Sequence, residues 1–163
     1  MYEINILSGD KKEGYKFLDL VLNTINSMNV TTLPYPDFEN PNIFSYFIRI
    51  FNNEEKVRVQ LYPLNIKLRV AISTDKLENF NLLFSNIHEG VLLIDTLNEN
   101  IIKKFEKEAS KKNIDVYCFE VSKTEHKVLI LMYFLDEFLK LFPFNFYGYS
   151  LKLLNKFSIK KIN

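Results

Sequence analysis

Apolar and polar residues alternate from Tyr2 to Ser8, where Tyr2, Ile4 and Ile6 interleave with Glu3 and Asn5. That period of two predicts a strand entering a core. From Tyr15 to Met28 the period lengthens, and Leu18, Val21, Leu22 and Ile25 recur at the spacing of an amphipathic helix. Asn29 to Asn42 contains Pro34, Pro36 and Pro41 and reads as a loop. Phe44 to Phe51 and Lys56 to Tyr62 are β-rich runs joined by Asn52-Asn53-Glu54-Glu55, a hairpin pattern, and Lys67 to Ile72 extends the meander. A helix is expected over Asp75 to Ser85, then a strand over Gly90 to Thr96 whose run Val91-Leu92-Leu93-Ile94 suits burial on both faces. Glu99 to Lys112 reads as an amphipathic helix and Asp115 to Val121 as a buried strand. Lys127 to Phe142 is apolar nearly all round and reads as a buried helix, Pro143 to Ser150 as turn-rich, and Leu151 to Ile159 as a closing helix.

Helices separating strands in this order predict an α/β fold, a three-layer sandwich with a mostly parallel sheet. The early hairpin adds one antiparallel edge strand. No linker or repeat divides the chain, so residues 1–163 are expected to form a single domain.

Composition removes several functions. The 21 basic and 20 acidic residues leave a net charge of +1, which gives no electrostatic case for nucleic acid. The single cysteine forbids an internal disulfide framework, and Cys118, His88 and His126 do not stand at zinc spacing. The longest strictly apolar run, Val128 to Leu135, is too short to span a bilayer. Met1-Tyr2-Glu3 does not open a signal peptide, so a cytoplasmic protein is expected. Arg49, Arg58 and Arg69 are the only arginines in a lysine-rich chain.

The first turn carries the most chemistry. Gly9-Asp10-Lys11-Lys12-Glu13-Gly14-Tyr15-Lys16 follows a strand and opens a helix, with the glycine spacing of a phosphate-binding loop. Tyr15 stands where such a loop has its lysine, and Lys16 where it has the hydroxyl that ligates Mg²⁺. Asp10 and Glu13 add negative charge where phosphates would sit. A simple turn with Gly14 close to the helix start is the competing reading. Glu125 and Lys127 read as surface charge.

With this turn, the segment Thr31 to Phe38, the hairpin, the run Glu89 to Thr96 and the sequence Ser122-Lys123-Thr124-Glu125, the chain resembles the Ras-like small GTPases and their MglA-like relatives. The resemblance implies a Ras-like P-loop fold with a switch loop over Thr31 to Phe38. It further implies nucleotide-binding vestiges at Gly9, Gly14, Lys16, Thr32, Lys123 and Glu125. The departures are at the phosphate- and metal-binding positions: Tyr62-Pro63-Leu64-Asn65 stands where that family has its Asp-x-x-Gly.

The expectation is therefore a nucleotide-independent pseudo-GTPase, without catalytic residues, metal or cofactor, acting as a signalling or trafficking scaffold. Its protein partner would meet the switch-loop and hairpin surface through Tyr35, Phe38 and Tyr62. One alternative is a divergent GTPase that takes GTP or GDP with Mg²⁺ and hydrolyses it slowly. The other is a receiver-like signalling domain, with Asp95 ending a buried strand.

Overall fold

A computed structural model of the chain describes residues 2–28, 30–51, 66–139 and 156–163. Among these, seven strands form one sheet: β1 (Tyr2–Ser8), β2 (Thr31–Pro36), β3 (Phe44–Phe51), β4 (Leu68–Ile72), β5 (Glu89–Asp95), β6 (Asn113–Phe119) and β7 (Lys160–Lys161). Three helices accompany them: α1 (Lys11–Asn26), α2 (Glu99–Ala109) and α3 (Thr124–Leu139). The spatial order is β2-β3-β1-β4-β5-β6-β7. β1, β4, β5 and β6 are joined by parallel ladders, while β3 runs antiparallel to both β1 and β2. β2 therefore points the same way as β1, and only β3 and β7 oppose the other five strands.

Each face of the sheet carries its own core, which makes three layers. On one face Ile4, Ile6, Val70 and Leu93 pack beneath Phe17 and Val21 of α1 and Leu131 and Phe134 of α3. On the other, Ala71, Leu92, Ile94 and Val116 pack beneath Phe105 and Ala109 of α2 with Leu83 and Phe84. Alternation along each strand feeds both cores, so β1 and β4 are buried at nearly every position.

Four expectations about the fold change. The antiparallel strand β3 lies inside the sheet, not at its edge. The proline segment is not a loop: Thr31–Pro36 is the edge strand β2, paired with β3 from Thr31↔Phe51 to Pro36↔Tyr46. Proline is tolerated there because an edge strand can turn its missing N–H away from the ladder. Leu68–Ile72 does not extend a meander but sits between β1 and β5, all five residues buried. The expected helix over Asp75 to Ser85 is two short 3₁₀ turns, Thr74–Lys76 and Phe80–Phe84, the second capped by the Asn79 side chain accepting from the Asn81 N–H. The expected strand Lys56 to Tyr62 and the segment Pro143 to Ser150 lie outside the described residues, as does most of Leu151 to Ile159. Among the described residues no helix is long and apolar enough to cross a membrane.

Candidate functional site

Open α/β sheets place ligands outside the carboxyl ends of their strands, and the charged groups of this chain converge there. β1 and β4 end side by side at Ser8 and Ile72. The turn after β1 is tied to the turn after β4 by the Gly9 N–H, which donates to the Ile72 carbonyl at 3.1 Å. A Cβ on Gly9 would stand 2.2 Å from the Ser73 carbonyl oxygen, and one on Gly14 would stand 2.6 Å from the Phe44 ring. Both glycines are thus accounted for by packing, Gly9 against backbone and Gly14 under an aromatic ring.

The carboxylates of the turn are committed to groups of the protein itself, while Lys11 and Lys12 stay exposed. Asp10 caps α1 by accepting from the Glu13 N–H at 3.1 Å, and the Ser8 hydroxyl donates to the Asp10 carbonyl at 2.6 Å. Lys76 Nζ lies 2.9 Å from Asp10 Oδ2; this hydrogen bond and the cap together hold the Asp10 carboxyl below the usual range. Glu13 accepts from the Ser73 hydroxyl and pairs with Lys127. Lys127, in the first turn of α3, is not surface charge: its ammonium lies between Glu13 and Asp95 Oδ2, the latter 2.7 Å away, with its side chain 5% exposed. Burial works against the ammonium, but the two carboxylates outweigh it and raise the Lys127 pKa. Glu13 moves down because its hydrogen bonds from Lys127 and Ser73 exceed the cost of burial. Asp95 moves up because burial dominates there.

Two pockets open along this end of the sheet. One of about 250 Å³ is lined by Ser8, Gly9, Ile43, Lys76 and Leu82 among others. The second, about 520 Å³, has Asp75, Asp95, Thr96, Glu120 and Ser122 in its wall and neither Lys nor Arg. Three carboxylates around a cavity repel a polyphosphate.

The remaining expected site residues are scattered. Lys16 is exposed on α1, and Lys123 and Glu125 are exposed at the start of α3, where the Lys123 carbonyl accepts from the Lys127 N–H. Thr32 lies in β2 and donates its hydroxyl proton to Asn26 Oδ1 at 2.8 Å. Phe38 is 62% exposed after β2, but Tyr35 turns inward at 3% and so offers no ring to a partner. Tyr62 lies outside the described residues.

Sequence reasoning missed a buried polar network. Tyr35 donates to Glu3 and stacks on Phe47 with ring centroids 5.3 Å apart, while Arg49 lies 5.1 Å over the Tyr35 ring. Arg69 Nε donates to Asn5 Oδ1 at 2.7 Å, and its Nη1 donates to the Leu82 and Leu83 carbonyls. Asn5 Nδ2 donates to Ser45 Oγ, which donates on to Asp37 Oδ2 at 3.0 Å. The available signal was the choice of arginine in a lysine-rich chain: two of its three arginines are these buried ones, where a planar fork of donors is needed.

No family model matches the chain, and no curated protein does. Among solved structures similar to it is the pyruvate oxidoreductase subunit PORC from Thermotoga maritima, at 16% identity and a TM-score of 0.38, covering 80% of this chain and 67% of that one. That degree of likeness decides nothing about function. The Ras-like assignment is corrected: β3 runs antiparallel to β1, and the expected switch loop is a strand.

Proposed function

We propose that this chain is a protein-interaction domain that works without bound nucleotide. The observation that carries the reading is the occupancy of the turn after β1 by the protein's own groups. A phosphate cradle needs open backbone N–H groups and an uncommitted cation. Here Asp10 takes the Glu13 N–H, and Lys127 is neutralised by Glu13 and Asp95. The surface offered to a partner is the connection after β2, where Phe38 stands exposed.

Calorimetric titration of GTP with Mg²⁺ tests the first half. The expected result is no binding tighter than roughly millimolar. Micromolar binding that Lys16→Ala abolishes overturns it in favour of a divergent GTPase. For the second half, loss of a captured partner on Phe38→Ala supports the surface, and retained capture places it elsewhere.

A further inference from the structure

The chain leaves β1 and its parallel neighbour β4 toward opposite faces of the sheet. α1, which follows β1, packs Phe17 and Val21 into one core, whereas the connection that follows β4 packs Leu77 and Phe84 into the other. Adjacent parallel strands whose connections part in this way leave a crevice outside their carboxyl ends, where open α/β sheets take ligands. The pocket of about 250 Å³ lies in that crevice. Gly9 and Lys11 line it from the β1 side, Leu77 and Glu78 from the β4 side, and Ile43 from just before β3.

We infer that this crevice binds a free α-amino acid with an aliphatic side chain. Size is the first argument. A volume of about 250 Å³ falls below the roughly 300–1,000 Å³ of sites for drug-sized ligands, and it suits a molecule of leucine's size better than a nucleotide. Charge is the second. Of the charged side chains in the wall, Lys76 is held by Asp10 at 2.9 Å. Lys11 and Glu78 are exposed and make no ion pair among the described residues. One uncommitted ammonium and one uncommitted carboxylate complement a zwitterion: Lys11 takes the ligand's carboxylate and Glu78 its ammonium. A lone cation sharing its wall with Glu78 cannot offset the charge of a polyphosphate, which agrees with a domain that works without nucleotide. Apolar surface is the third. Ile43, Leu77 and Leu82 share the wall, and an aliphatic side chain buried against them adds the gain that exposed charges alone do not supply. This inference goes beyond the interaction reading above and does not depend on it.

The probe is L-leucine, titrated into the full chain with calorimetry and amide NMR as readouts. Saturable binding with a Kd of roughly 0.1–1 mM is expected for a ligand of this size. The resonances of Gly9, Ile43 and Leu77 should move, while that of Val116 in β6 should not. Isocaproate, which lacks the ammonium, and isoamylamine, which lacks the carboxylate, should each bind at least roughly tenfold more weakly. Glycine, which lacks the apolar side chain, should be weaker by a similar factor. Lys11→Ala and Glu78→Ala should each weaken leucine roughly tenfold. Both side chains are exposed, so neither variant threatens the fold. No saturation by about 10 mM leucine, equal affinity for leucine and any of the three truncated ligands, indifference to either substitution, or shifts confined to β6 each overturns the inference.

Discussion

Lys127 Nζ stands 2.7 Å from Asp95 Oδ2, joining the first turn of α3 to the last residue of β5. The same ammonium reaches Glu13 in the first turn of α1, so one buried cation fastens three elements at the carboxyl end of the sheet. Lys127→Met leaves two carboxylates facing each other with little water. It should cost about 3 kcal/mol, read as a lower midpoint in urea. Asp95→Asn should cost less, because Lys127 keeps Glu13 and a carboxylate that burial disfavours is removed.

Glu13 and Lys127 each give this cluster a pH dependence of known sign, with Asp95, raised by burial, working against Glu13 on the acid limb. The Glu13 carboxyl titrates below its ordinary 4.5 in the folded state, so its contribution is complete above that value and fades as pH falls through the folded one. Lys127 titrates above 10.5 when folded, so its contribution is complete below 10.5 and fades as pH climbs through the folded value. Chemical denaturation across pH should show Glu13→Gln flattening part of the acid limb and Lys127→Met part of the alkaline limb. Unchanged limbs would refute the pairing.

Gly9→Ala separates packing from phosphate binding. Its methyl group meets backbone at Ser73 and Leu77, which cannot swing aside as a side chain can. A loss of roughly 3 kcal/mol is expected with no ligand present. Gly14→Ala should be milder, since it meets the Phe44 ring and gains about 1 kcal/mol of helix propensity.

Arg69→Lys should not behave as a conservative change. The guanidinium donates through Nε to Asn5 and through Nη1 to two carbonyls, which an ammonium cannot reach with the same geometry. Burial lowers the Arg69 pKa to about 10, and Asp37 opposes that through its charge. Arg69→Lys should cost about 3 kcal/mol and Asp37→Asn about 1 kcal/mol. Thermal melts showing Arg69→Lys within experimental error of the wild type would contradict this account.

Tyr35 and Phe38, three residues apart, should respond oppositely to truncation. Tyr35→Ala removes a 3%-exposed ring and leaves Glu3 and Arg49 with one partner fewer, a loss of about 3–5 kcal/mol. Phe38→Ala removes a 62%-exposed ring and should change stability by about 0.5 kcal/mol at most. Melting curves of the two single variants check the contrast directly.

Element type was legible wherever one period ran without interruption. The helices around Leu18 to Ile25 and Glu99 to Ala109 and the strands around Ile4 and Val116 follow from uninterrupted periods, and the strand around Leu92 from a continuous apolar run. The proline-bearing β2 was illegible because local rules forbid proline in a paired strand and only edge placement relaxes them. The two 3₁₀ turns failed for a related reason: Leu77 and Phe84 kept a helical spacing while the backbone between them broke.

What the sequence by itself determined is the layered α/β class, since alternating apolar strands and one-sided helices must cover one another to leave water. Tertiary structure alone decided the place and direction of β3 and the fate of each charge. The antiparallel β3 between β2 and β1, like the position of Lys127 between Glu13 and Asp95, depends on partners 60 or more positions away in some cases and absent from any local window. A lysine looks alike on a surface and in an interior until the carboxylates that neutralise it are placed, because its charge is favourable to bury only when they are there.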